Sequence, residues 1–164
     1  MKFCPATRGH FTDTDVMREA MIREWNDAVA AEDVTYILGD VAFLPAAEAV
    51  QIMRRLNGRK ILIEGNHDRK LLNDPVFRSC FDEIHKYLEI TYNGTRIVMF
   101  HYPIFDHNGA GRGSIMLHGH RHGNPHNIPG RIMDVGMDAT GKIVYLLDDI
   151  VKDMQNVQHM YHHS

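Results

Sequence analysis

The sequence predicts a mixed α/β domain, and three observations carry that expectation. Short β-branched apolar runs alternate with amphipathic helical patterns in the first half of the chain. Two of those runs, with a helical pattern between them and short links on either side, form a βαβ unit with parallel strands and a right-handed crossover. The second half holds two strand-like runs around Asn93-Gly94, the strongest short hairpin signal.

Each element follows from its own residues. Over residues 13–31, Val16, Met17, Ala20, Met21, Trp25, Ala28 and Val29 recur at three-to-four spacing, which predicts a helix with one apolar face. Thr12 is a good N-cap, Asp15 completes a capping-box-like pair, and Phe11 with Val16 makes a hydrophobic staple. Residues 34–38, VTYIL, read as a buried strand. A second helix over 46–56 is closed by Asn57-Gly58, and KILIE over 60–64 is a second buried strand. Residues 114–118 form a further short strand. RIMDVGMDATGKIVYLL reads as another hairpin, turning at Thr140-Gly141, and a polar helix begins near Asp148.

Composition narrows the classes of function. The 164 residues suit one domain spanning 1–164. A net charge of −3 with no Lys/Arg run argues against a protein held on nucleic acid by its whole surface, so nucleic acid enters only as a substrate. Cys4 and Cys80 make no disulfide framework, and no apolar run approaches the ~18 residues of a membrane span. A soluble, cytoplasmic protein with no membrane partner is expected. Oligomeric state is open, a homo-oligomer included. The unusual number is twelve histidines. His159, His162 and His163 lie in a polar tail and read as solvated surface, whereas those between His101 and His126 need another reason.

That reason lies at the strand ends, where open α/β sheets gather their ligands. The run 34–38 is followed by Gly39-Asp40, 60–64 by Gly65-Asn66-His67-Asp68, 95–100 by His101-Tyr102-Pro103, and 114–118 by Gly119-His120-Arg121-His122. Taken singly, Asp40 could be a turn residue, Asn66 and Asp68 could cap a helix starting near Arg69, and His101 could be a packed loop residue. Four such coincidences at corresponding places favour one shared metal site. Carboxylate, amide oxygen and imidazole donors suit Mn²⁺, Fe or Zn²⁺. A carboxylate can also bridge two cations about 3.5–4 Å apart, a pair suited to activating water and clamping a phosphoryl group.

GD, GNHD, HYP and GHRH, in this order, resemble the calcineurin-like metallophosphoesterase superfamily, in particular its compact phage and bacterial members, over about residues 3–150. The resemblance implies a four-layer α-β-β-α sandwich with two mixed sheets. It implies hydrolysis of a phosphomono- or phosphodiester by attack of metal-bound water, with one or two divalent cations per chain, Mn²⁺ before Fe or Zn²⁺. It makes Asp40 the bridging carboxylate, adds Asn66, His101 and His120 at the second metal position, and assigns His122 to the first. His67 would protonate the leaving oxygen or stabilise the phosphoryl charge, with Asp68 orienting its ring. Arg112, on the loop DHNGAGRGS, is the candidate for meeting a substrate phosphate, and His118 matches no family ligand and reads as supporting shell or core.

One family motif, Asp-x-His at the end of a first strand, has no counterpart here. Asp13-x-Asp15 reads as a helix start rather than a substitute, because both acids suit a first helical turn. The expectation is a chain whose first strand is missing: Met1 lies downstream of it, or the protein lacks the motif. The second functional reading follows: a catalytically weak or inactive relative that binds metal and phosphate.

Overall fold

The computed structural model describes residues 14–125 and 127–158. Helix α1 (Thr14–Ala28) leads to strand β1 (Val34–Ile37), helix α2 (Ala46–Met53) and strand β2 (Arg59–Ile63). Two short helices, α3 (Arg69–Leu72) and α4 (Pro75–Arg78), precede strands β3 (Glu83–His85), β4 (Tyr87–Tyr92) and β5 (Thr95–Phe100). A 3-10 turn (Ala110–Arg112), β6 (Ile115–His118), β7 (Ile132–Asp134), α5 (Met137–Thr140) and α6 (Leu147–Gln155) complete the chain. None of these helices is long and apolar enough to cross a membrane.

The strands form two sheets, ordered β1-β2-β3 and β4-β5-β6-β7. In the first, β1 and β3 both run parallel to β2, so among the described residues this sheet is all-parallel rather than mixed. The second is mixed: β4 and β5 are antiparallel, then β6 and β7 follow in parallel. Period-two alternation divides β2 between two cores. Leu62 faces Ala49, Val50 and Met53 of α2, Leu71 of α3 and Phe77 of α4. Ile63, on the opposite face, packs with Ile97 and Met99 of β5, Ile115 and Leu117 of β6, and Ile150 of α6. The sheets therefore meet face to face, with short helices covering the other side of the first.

The hairpin at Asn93-Gly94 is present, both residues in the left-handed region (φ 48° and 77°) that a type I′ turn requires. Gly58 (φ 78°) closes the turn after α2 against the end of α1, where an added Cβ would lie 2.8 Å from Val29. Trp25 Nε1 donates to the Asn57 carbonyl at 3.1 Å and ties the same corner.

Several expectations need correcting. β1 is half-exposed rather than buried, because it pairs only with β2 among the described residues. The buried positions of α1 are Met17, Ile22 and Trp25, while Val16 is 57% exposed. Asp15 pairs with Arg18 at 3.0 Å within the first turn, in keeping with a helix start, whereas Phe11, Thr12 and Asp13 lie outside the described residues. Residues 131–147 do not form a hairpin: β7 is followed by α5, and Gly141 (φ 75°) donates its N–H to the Met137 carbonyl as a helix C-cap. Left-handed glycine serves a tight hairpin and a helix end equally well, so the local signal was ambiguous.

Strand β3 is too short to carry a period-two signal of its own. It is three residues long and is drawn to β2 by Asp82, whose carboxylate accepts from the Lys60 amide at 2.9 Å and Arg59 Nε at 3.1 Å. Those two donors hold the Asp82 carboxyl below its usual range, the Lys60 amide most strongly.

Candidate metal centre

The loops after β1 and β2 are built around one buried carboxylate. Asp68 is fully buried. Its Oδ2 accepts from the backbone N–H of Asp40 (2.9 Å) and of Gly65 (2.8 Å), and its Oδ1 from that of Val41 (2.8 Å). Three amides from two loops thus share one side chain, which fixes the loops relative to each other. Neither the orientation of His67 nor a cap on α3 uses these oxygens: Asp68 sits at the N-cap of α3 but makes no side-chain cap bond. The expected role in orienting the His67 ring gives way to that of a loop hub.

The hub requires close backbone approach. A Cβ on Gly39 (φ 83°) would lie 2.6 Å from both the Gly65 backbone and His101 Nδ1, and one on Gly65 would strike the Asp40 carboxylate. Asp40 itself is left-handed (φ 54°), a conformation uncommon outside glycine that turns its side chain toward the strand ends.

There Asp40 meets groups from the other three loops. His101, only 1% exposed, directs Nδ1 at the Leu38 carbonyl (2.7 Å). A carbonyl oxygen only accepts, so Nδ1 carries a hydrogen, and in the neutral ring Nε2 carries the lone pair. That Nε2 lies 3.0 Å from Asn66 Oδ1 and 3.5 Å from Asp40 Oδ2. His120 Nδ1 is 3.1 Å from the same Asn66 oxygen. Asp40 Oδ2 is buried with no hydrogen-bond partner among the described residues. With the His101 ring neutral, its Nε2, Asn66 Oδ1 and Asp40 Oδ2 are acceptors facing one another, with at most the His120 ring proton among them.

A divalent cation fits this donor set. Ligand atoms of Asp40, His101 and His120 all lie within 4.8 Å of one another. Carboxylate, imidazole and amide oxygen suit Mn²⁺, Fe and Zn²⁺ alike. His120 is held below the ordinary histidine range, first by burial and next by neighbouring His101, with Asp40 pulling the other way. The neutral ring this favours is the form that ligates.

The remaining expected site residues are placed as follows. His67 is exposed, its backbone N–H donates to Asp40 Oδ1 (2.9 Å), and its ring packs 5.1 Å from that of Phe43. Tyr102 lies edge-on to His120, with ring centres 4.5 Å apart. His122 stands outside the three-residue group, and its Nδ1 is 2.7 Å from Asp138 Oδ2. His118 is fully buried at the end of β6, with Nδ1 2.9 Å from the Gly119 carbonyl, in agreement with a supporting place. Arg112 is not brought to the centre. It lines a cavity with Gly94, Thr95 and Arg96 at the start of β5, about 17 Å from the strand's other end at ~3.3 Å per residue. Asp138 is the residue sequence reasoning missed, because a hairpin reading made it a strand position.

Comparison with known proteins adds relatedness. No family model matches the chain. It is 32% identical over 116 residues to an uncharacterized protein of Methanocaldococcus jannaschii, a match covering 70% of this chain and 58% of that protein's length. It is 30% identical to the gene 66 protein of Mycobacterium phage D29, over 80% of this chain and 79% of the phage protein. The crystal structure of a protein of unknown function from Aquifex aeolicus superposes with a TM-score of 0.60 at 24% identity, covering 82% of each chain, a likeness of fold alone. At that identity and coverage, the chain belongs to the family of the phage D29 gene 66 protein.

Proposed function

We propose that this protein is a metal-dependent phosphoesterase of the calcineurin-like kind, hydrolysing a phosphomono- or phosphodiester. The observation that carries the reading is the convergence of acceptors at the strand ends: a buried Asp40 oxygen without a partner faces the bare Nε2 of His101 and the amide oxygen of Asn66. Such an arrangement is repulsive until a cation enters it. The spacing GD, GNHD, H, GHRH supports the same reading, and with it the four-layer sandwich.

Asp40, Asn66, His101 and His120 would hold the ion, with Mn²⁺ first and Fe or Zn²⁺ as alternatives. A divalent cation supplies Lewis acidity toward water and the phosphoryl oxygens. The chain's own residues do the rest. His67, anchored through its backbone to Asp40 and exposed at the ring, would give a proton to the leaving oxygen or stabilise the phosphoryl charge. Asp68 keeps the Asp40 and Gly65 loops in register, so the ligands need no rearrangement on binding.

The test is hydrolysis of bis(p-nitrophenyl) phosphate with and without Mn²⁺, alongside Asp40→Asn. Metal-dependent turnover that disappears in the variant is expected. Turnover insensitive to chelation would defeat the proposal. Binding of Mn²⁺ without turnover would favour the second reading, a metal- and phosphate-binding relative.

A further inference from the structure

His122 is joined to a carboxylate unlike that of the other histidine–acid pair of comparable length. His85 and Glu83 also approach to 2.7 Å, but Glu83 is 51% exposed, an ordinary surface pair. Asp138 is only 7% exposed while the His122 ring it meets is 54% exposed. A buried carboxylate is thus turned outward to hold an accessible imidazole.

The backbone is shaped to make that meeting. His122 is left-handed (φ 50°), as is Gly123 (φ 76°). A Cβ on Gly123 would lie 2.8 Å from the Asp138 carbonyl oxygen, so glycine there lets the loop after β6 lie directly on α5. The strained histidine and the close approach both serve to bring His122 onto Asp138.

The consequence is a choice of tautomer. A carboxylate accepts and does not donate, so Nδ1 carries a hydrogen, and in the neutral ring the lone pair is left on Nε2. Histidines that ligate metals characteristically give their other N–H to a carboxylate or carbonyl, as His101 gives Nδ1–H to Leu38. His122 follows His120 by two residues on the same loop after β6, and both backbones are left-handed.

We infer that Asp138 is a positioning residue: it holds His122 in the Nδ1–H tautomer and presents Nε2 to a divalent cation beside the Asp40–His101–His120 group. The inference rests on the reading of that group as a metal site.

The test is a long-range ¹H–¹⁵N spectrum of the full chain labelled in histidine, recorded near pH 8 and during titration with Zn²⁺, with signals assigned by single His→Gln variants. The wild-type protein is expected to show His122 protonated at Nδ1, and zinc should shift its Nε2. Asp138→Asn should weaken the zinc response of His122 by about 10–100-fold while His101 and His120 respond as before. The wild-type tautomer is measured without any variant, so a poorly folded Asp138→Asn does not blunt the test. His122 protonated at Nε2 overturns the inference, as does an unmoved His122 when His101 and His120 shift. If zinc moves none of the three rings, the metal-site reading fails and the inference goes with it.

Discussion

Two loop assemblies on the same edge of the molecule hold their histidines in different ways. The loops after β1 and β2 are bound through backbone groups: three amides converge on Asp68, and the Leu38 carbonyl takes the His101 ring proton. The loop after β6 relies on residues in a costly conformation, His120 (φ 67°) and His122 (φ 50°), and on a side-chain bond from His122 to Asp138. The first assembly sets its geometry through main-chain groups that any residue but proline supplies, gathered on the single Asp68 carboxylate. The second depends on particular side chains. The loop geometry of the first should survive loss of any single metal ligand, whereas the aim of His122 should fail with one substitution.

The sharpest way to break that contrast is Asp68→Ala. It removes a fully buried acceptor and leaves the amides of Asp40, Val41 and Gly65 unpaired, so a loss of about 3–5 kcal/mol is expected by denaturant titration. Metal binding should go with it. A variant of near wild-type stability would mean that the two loops are held by something other than this carboxylate.

Gly39→Ala tests the close approach itself. The new Cβ would meet Gly65 and His101 at 2.6 Å from a left-handed backbone, and the expected cost is about 2–4 kcal/mol. The same change at Gly94, also left-handed but with nothing within 4 Å, should show the conformational part alone, about 1–2 kcal/mol.

Asp40→Asn separates ligand from scaffold. The amide keeps the Oδ1 acceptor for the His67 N–H, so the metal-free protein should be no less stable than wild type, having lost a buried charge without a partner. The difference should appear on adding Mn²⁺. At about a hundred times the dissociation constant the wild type gains about 2.7 kcal/mol, and the variant should gain little of it. Equal stabilisation of both proteins in thermal melts would remove Asp40 from the ligand set.

Arg112→Ala should have the smallest effect. The guanidinium lies at the opposite end of β5 from His101, so metal content and turnover of a small phosphodiester should stay within about twofold of wild type, under ~0.5 kcal/mol. A tenfold loss in kcat/KM would return Arg112 to the site.

How much of this could be read in advance depends on how local the cause is. Strands β2, β5 and β6, the turn at Asn93-Gly94 and the chemistry-bearing residues just after each strand were legible, since apolar runs and the residues ending them are neighbours in the chain. Helix α4 was legible in principle, because Asp74 before Pro75 caps it by accepting from Val76 and Phe77. The ligand types at Asp40, Asn66, His101 and His120 needed only the order of strands to bring them to one edge.

What the chain could not specify locally was the choice of partner. Asp68 looks like a helix cap in the sequence, yet its carboxylate is taken by amides as far as 28 residues away. Gly141 suits a hairpin or a helix end, and packing of the segment after β7 chose the helix. His122 and Asp138 are 16 residues apart and meet only because Gly123 lets loop and helix touch. Arg112 shares a loop with candidates for the site, but the register of β5 carries it to the far end. Local sequence sets which backbone angles are cheap and which atoms can bond. Only close packing of distant segments decides which bonds are made.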